Sequence, residues 1–377
     1  MRYLSLAALT LAAAPLLSGC ASKAESLQAP RHDFLMGADL SYVNEMLDCG
    51  ADFPVTASAD NPYALFAQAG TDLVRVRLWH SPEWTGYSDF DDVRATISRS
   101  HAEGMKVLLD LHYSDTWANP HKQIIPAAWE HLYDDRRALA QAVYDYTYNT
   151  LKTLHQDGLL PEYVQVGNET NIEILKPEEQ QDEAAPINWP RNVELLNQGL
   201  QAVADINREL GVQVQTMIHI AQPENALEWF PQALDNGLES FDLVGLSYYP
   251  KWSEYRIDQL GQALTDLEAA TGRAVMIVET AYPWTLENFD DANNILGEDS
   301  LISGFDATPE GQYRYFDTLA REVKAADGVG LIYWEPAWVS NDCHTLWGHG
   351  SHWENASFFD ANNNNQPLPV FDVYERY

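Results

Sequence analysis

Read for its apolar and polar positions, the chain alternates between short β-rich runs and longer stretches with a helical period. The β-rich runs cover 34–41 (FLMGADLS), 73–79 (LVRVRLW), 105–113 (MKVLLDLHY) and 163–169 (YVQVGNE). Four more cover 214–221 (VQTMIHIA), 242–250 (DLVGLSYYP), 274–280 (AVMIVET) and 330–336 (GLIYWEP). Between them, Leu139, Val143, Tyr146 and Leu154 share one helical face that ends at Gly158. Val193, Leu196, Leu200, Val203 and Leu210 repeat the pattern before Gly211, and 309–328 gives another helix ahead of the last run.

Eight such runs, each with helical material beside it, predict one (β/α)8 TIM barrel with its active site at the C-terminal rim. The rival is an open doubly wound sheet, but no glycine-rich nucleotide turn follows the first run. The run ends favour the barrel. Their first halves are apolar, whereas their C-terminal ends carry Asp39, Arg77, His112, Glu169, His219, Tyr248 and Glu279. No linker or low-complexity run interrupts 33–377, so this stretch is read as a single domain. With 46% hydrophobic residues in 377, material for a large core is present, and disorder is excluded. Asp and Glu outnumber Lys and Arg 56 to 22, a net charge of −34 that repels phosphate backbones and excludes a nucleic-acid partner.

The N-terminus changes the expected location. Arg2 precedes an apolar stretch, 4–17, that is short for a membrane span. Leu17-Ser18-Gly19-Cys20 resembles a bacterial lipobox, which implies cleavage before Cys20 and lipidation of its thiol. An ordinary secretory signal is the alternative. The expected organisation is a signal peptide at 1–19, a lipidated polar tether at 20–32 and a catalytic domain at 33–377. The expected address is that of an exported lipoprotein, anchored at the outer membrane on its periplasmic or cell-surface face, and monomeric.

Two rim carboxylates carry the chemistry. Glu169 ends the fourth run after Asn168, and Glu279 ends the seventh. A lone rim glutamate is ordinarily half of a structural ion pair. A pair that converges on one ligand matches glycoside cleavage, where one group protonates the leaving oxygen and the other attacks the anomeric carbon. Asn-Glu on strand four with Glu on strand seven resembles clan A of the glycoside hydrolases. Within it, MGADLSYV (36–43), VRVRLWHSP (74–82), DLHYSDTWANPHKQIIPAAW (110–129), VQVGNETN (164–171) and GLIYWEPAW (330–338) resemble family 53, the endo-β-1,4-galactanases.

That resemblance implies a retaining mechanism with Glu169 as general acid/base and Glu279 as nucleophile. It implies that Asn168 bonds the sugar 2-hydroxyl, that Arg77 orients Glu279, and that Tyr248 or Tyr249 donates to the nucleophile. His112 and His219 are expected on sugar or on the two glutamates. The role split requires a raised pKa at Glu169 and a carboxyl separation of roughly 5–5.5 Å. Twelve Trp and nineteen Tyr suit a carbohydrate groove, with Trp117, Trp334 and Trp338 as platforms and Asp115 and Lys122 as hydroxyl partners. Trp79, Trp129, Trp252 and Trp284 fit core packing equally well. With the barrel closed, Cys49 and Cys343 fall in neighbouring loops and are expected to form a disulfide in an oxidising compartment.

No cofactor is expected and no metal is predicted. Some family members carry calcium in the loop after strand seven, and Asp290, Asp291 and Asn293 offer oxygens there without a recognised calcium-loop spacing. The expected substrate is the β-1,4-galactan of pectic type I arabinogalactan. Alternatives are another clan A endo-glycanase (a mannanase or xylanase) and a non-catalytic glycan-binding lipoprotein. A metal-dependent hydrolase lacks its ligands, since strand one offers only Asp39 and Ser41.

Overall fold

Each β-rich run becomes a strand because its two faces serve different neighbours. The strands are β1 (Leu35–Asp39), β2 (Leu73–Leu78), β3 (Lys106–Leu111), β4 (Tyr163–Val166), β5 (Gln215–Ala221), β6 (Leu243–Ser247), β7 (Ala274–Glu279) and β8 (Gly330–Tyr333). They pair in parallel in chain order, and β8 closes on β1, so the expected barrel is present. The computed structural model describes residue 1 and residues 33–54 and 61–377. The signal peptide beyond Met1, Cys20 and the tether lie outside the described residues. Among the described residues, no helix is long and apolar enough to cross a membrane.

On the outer face, Val74, Val76, Val107, Leu109, Val164, Val166, Ile218 and Val244 join the large core shared with the helices. On the inner face, Leu73, Leu108, Tyr163, Met217, Leu243, Met276 and Ile332 form a second, separate cluster. Two residues further along β2, β3, β4 and β5 the side chain points the same way. Those positions are Arg75, Asp110, Gln165 and His219, all buried. The barrel is therefore apolar at its floor and filled with hydrogen-bonding groups beneath its C-terminal mouth.

The surrounding helices are α1 (Val43–Asp48), α2 (Pro62–Gln68), α3 (Phe90–Ala102), α4 (Arg136–Gln156), α5 (Trp189–Leu210), α6 (Pro223–Asp235), α7 (Ile257–Thr271) and α8 (Pro309–Ala325). Local chemistry sets their ends. Asp135 caps α4 by accepting from the Ala138 amide, and Thr308 caps α8 ahead of Pro309. Gly211 ends α5 at φ +68°, a conformation in which a side chain is strained. The Cys49–Cys343 disulfide forms as expected, with Cα atoms 5.6 Å apart, and ties the segment after β1 to the segment after β8. Beyond Cys343, a small hairpin of β9 (His344–Thr345) and β10 (Gly348–His349) carries Leu346 and Trp347 at its turn.

Candidate active site

Strand β4 is shorter than the run that predicted it. Gly167 takes φ +85°, where an added Cβ would stand 2.6 Å from the Thr170 side chain. Glu169 follows at φ +43°, a strained conformation for a glutamate of the kind found at functional sites. This turn lifts the carboxyl into the barrel mouth. On β7, strict alternation from Met276 and Val278 would aim Glu279 at the helices. The register shifts there: Leu246 pairs with Ile277 but Ser247 pairs with Glu279, and the irregularity turns Glu279 inward. The two carboxyl groups and His219 each offer an atom within 4.8 Å of the others.

The two glutamates have different neighbours. Arg75 Nη2 lies 2.9 Å from Glu279 Oε1, and the Tyr249 hydroxyl donates to Oε2 at 3.1 Å. Glu169 Oε1 accepts from the Ser247 hydroxyl at 2.7 Å. Burial lifts the Glu169 carboxyl to about 7, although Ser247 and Arg75 both oppose the rise. Burial also pushes Glu279 well above the carboxylate range, with Arg75 pulling it down and the Glu169 charge adding to the rise. Two carboxyls this close titrate as a pair. The guanidinium and the tyrosine hydroxyl both favour charge on Glu279, so the proton the pair retains sits on Glu169.

Arg75 replaces Arg77 in the role expected for an arginine. Its guanidinium also donates to Asp39, Asp110 and Asn168 Oδ1, each at 2.8 Å, and its Nε donates to Gln165 at 3.2 Å. Arg77 shares the inner face but points elsewhere. It pairs with Glu335 at 2.5 Å, with the Tyr42 and Trp117 rings 4.1 and 4.5 Å away. The tyrosine ambiguity resolves by strand phase. Gly245, Ser247 and Tyr249 face inward, whereas Tyr248 turns out and bonds the Tyr255 carbonyl.

Other expected positions divide. Asn168 lines the cleft, with Oδ1 on Arg75 and Nδ2 on the Ala118 carbonyl. His112 bonds neither glutamate: its Nε2 meets Asp110 at 3.0 Å and its Nδ1 accepts from the Ala118 amide. His219 touches the Glu169 backbone amide and reaches its carboxyl only through Ser247. Asp115 faces away from the cleft and accepts from the Ser81 and Ala127 amides, joining the loops after β2 and β3. Lys122 lies outside the cleft lining and turns its own loop against Asn119.

The carboxylates sit in an open cleft of about 850 Å³ walled by aromatic rings. Trp117, Trp334 and Trp338 line it, as expected, and Trp338 stacks on Tyr42 with centroids 3.9 Å apart. Trp252, assigned no more weight than a core residue, is 47% exposed and lines the cleft. Trp79, Trp129 and Trp284 are buried. Trp347, Trp353, Gln222 and Asn225 line the cleft without having been singled out. Trp347, Trp353 and Gln222 come from segments outside the helices and barrel strands that carry no periodic signal, and Asn225 from the first turn of α6. The rings run on from Trp117 to Trp334 (6.0 Å), Trp353 (4.7 Å), Tyr249 (6.1 Å) and Trp252 (5.1 Å). Such a strip offers flat apolar faces beside hydrogen-bonding edges, which suits a run of sugar rings.

The oxygens considered for calcium are engaged by protein donors. Asp290 accepts from the Ala292, Asn341 and Ser351 amides, Asp291 pairs with His349, and the Asn293 carbonyl meets His352. They fasten the loop after β7 to the loop after β8. Among the described residues, Glu169, His219 and Glu279 form the group close enough to hold a metal. Both His219 nitrogens are already committed to protein partners, so that group does not fit a metal site.

Comparison with known proteins gives a consistent assignment. A model of the family described as "Glycosyl hydrolase family 53" matches residues 35–374. The arabinogalactan endo-β-1,4-galactanase of Cellvibrio japonicus (strain Ueda107) is 57% identical over 338 residues, 90% of this chain and 89% of that one. The solved Ignisphaera aggregans family 53 catalytic domain superposes with a TM-score of 0.80 at 29% identity, over 91% of this chain and 95% of that one. A structure from a study of two fungal β-1,4-galactanases gives 0.76 at 28% identity, over 91% and 99%.

Proposed function

The chain belongs to glycosyl hydrolase family 53, and on that footing we propose that it is a retaining endo-β-1,4-galactanase. Its substrate on this reading is the galactan of pectic type I arabinogalactan, cut at internal bonds. The observation that carries the reading is the close approach of Glu169 and Glu279 at the foot of an aromatic cleft.

In the first step Glu169 gives its proton to the glycosidic oxygen while Glu279 attacks the anomeric carbon. The carbon–oxygen bond breaks, the leaving sugar departs neutral, and a glycosyl ester forms on Glu279. Glu169, now ionised, takes a proton from water. The water oxygen attacks the same carbon and releases Glu279 as carboxylate. Arg75 and Tyr249 hold Glu279 for attack, and their contacts stabilise it as a leaving group in the second step. Asn168, which lines the cleft next to Glu169 and shares Arg75 with Glu279, is suited to the sugar 2-hydroxyl. Nothing in these steps calls for a metal or an organic cofactor, so chelation is expected to leave the rate unchanged.

Digestion of linear galactan beside mannan and xylan tests the substrate. Loss of activity in Glu169→Ala and Glu279→Ala tests the pair. Azide added to Glu279→Ala should yield the inverted glycosyl azide. Equal turnover of all three polysaccharides, or full activity in either variant, contradicts the reading.

The protein on this proposal is an exported monomeric lipoprotein held at the outer membrane through Cys20. Support comes from Arg2, the apolar stretch 4–17 and the Leu-Ser-Gly-Cys end. One acyl chain contributes about 0.8 kcal/mol per buried CH₂. Labelled palmitate should enter the wild type and not Cys20→Ala, which should leave the membrane fraction.

A further inference from the structure

One strand end supplies a donor to each carboxyl. Ser247, the last residue of β6, donates to Glu169 Oε1 at 2.7 Å, and Tyr249, two residues on, donates to Glu279. Behind Ser247 stands His219, fully buried, with Nε2 2.8 Å from the serine oxygen. The other ring nitrogen decides the tautomer. The Glu169 backbone amide points at Nδ1 from 3.3 Å, and the Gln165 amide nitrogen lies 3.0 Å from it. Asn168 Oδ1 also lies 3.0 Å from Nδ1, but it already accepts from Arg75 and from Gln165, which fills both its lone pairs. A backbone N–H donates and never accepts, so Nδ1 is the acceptor and Nε2 bears the hydrogen. Burial and the Arg75 charge keep the ring neutral by pushing its pKa well below the usual range. The hydrogens therefore run one way, from His219 Nε2 to Ser247 Oγ and from Ser247 to Glu169 Oε1.

We propose that His219 and Ser247 are positioning residues that keep Glu169 Oε1 as a standing acceptor and so confine the transferable proton to Oε2. Were the chain reversed, a protonated Glu169 would direct its hydrogen at Ser247, where no substrate oxygen lies. With Oε1 occupied by a donor, the O–H bond that breaks during leaving-group protonation is on Oε2. The same oxygen takes the proton back from water in the second step. The Ser247 contact persists throughout and favours the ionised carboxyl, which eases release of the proton to the leaving group in the first step. The inference rests on the reading of Glu169 as acid/base.

The other charged or titratable groups facing Glu169 are Arg75 from β2, Asp110 from β3, His121 from the following loop, Glu279 from β7 and Tyr249 after β6. Replacement of Ser247 leaves all of them in place. In Ser247→Ala, the alkaline limb of kcat/KM on galactan should move up by roughly one pH unit. Carbon-13 NMR titration of the Glu169 carboxyl should give the same shift without turnover. Galactan hydrolysis should fall more than hydrolysis of a dinitrophenyl galactobioside, whose leaving group needs no proton. Ser247→Thr, which keeps the hydroxyl, should bring both readouts back towards wild type. An unmoved limb and titration, or equal losses on the two substrates, overturns the proposal. Failure of the underlying reading looks different: Glu169→Ala would then lose the dinitrophenyl substrate as fully as galactan.

Discussion

Two arginines stand two residues apart on one face of β2, and of the two only Arg75 reaches Glu279. Arg75→Met removes the cation shared by Asp39, Asp110 and Glu279, all within 2.9 Å of its guanidinium. Leaving a buried charge without its partner costs about 3–5 kcal/mol. Glu279 can escape that cost by taking up a proton, which removes the nucleophile at neutral pH. If the cost appears in the transition state, kcat falls roughly 10²- to 10⁴-fold. The acid limb of the pH profile should rise too, because Arg75 is the group pulling the Glu279 pKa down. Arg77→Met is the control. It leaves the buried Glu335 without its cation and takes from Tyr42 and Trp117 the guanidinium they pack on, so it should lower the melting temperature and raise KM. Steady-state kinetics on galactan across pH, with thermal unfolding of both variants, gives the comparison. If Arg75→Met fails to fold, Arg75→Lys keeps the charge but cannot serve all the acceptors, and kcat should still fall. The reasoning is refuted if folded Arg75→Met stays within about tenfold of wild type in kcat, or if Arg77→Met loses as much.

Other outcomes are as specific. Tyr249→Phe removes a hydrogen bond to a charged group and should lower kcat/KM roughly 10- to 100-fold; Tyr248→Phe loses only the Tyr255 carbonyl and should stay near wild type. In the wild type, kcat/KM should fall as pH rises through about 7, where Glu169 loses the proton it must donate; a profile flat to far higher pH removes Glu169 as the acid. Reduction of Cys49–Cys343, which spans 294 residues, should cost about 2–5 kcal/mol of stability. Scanning calorimetry with and without reductant measures this, and an unchanged melting temperature contradicts it.

The barrel was legible in the sequence because eight short β-rich runs, set between stretches of helical period, each became a strand. The carboxylate pair was legible too, since an acidic residue ending an apolar strand has nowhere to go but the rim. Strand phase was the weaker link. Counting inward from Leu243 through Gly245 and Ser247 selects Tyr249, and counting from Leu73 puts Arg75 and Arg77 on the same face. Choosing between those arginines needed the third dimension, because Asp39 and Asp110 meet at Arg75 only when three strands lie side by side. Glu279 faces inward through a register shift that alternation does not reveal. Trp252, Trp347 and Trp353 reach the cleft from loops, where sequence gives residue type but no direction. Asp115 looked like a sugar ligand and instead serves two backbone amides.

The account stands on a covalent route through two carboxyl groups set a short distance apart. Proton NMR of the first products released from a β-1,4-galacto-oligosaccharide, recorded before mutarotation, reads that route directly. The new reducing end should appear first as the β-anomer; initial release of the α-anomer would mean that water attacks in a single step and that Glu279 is not the nucleophile.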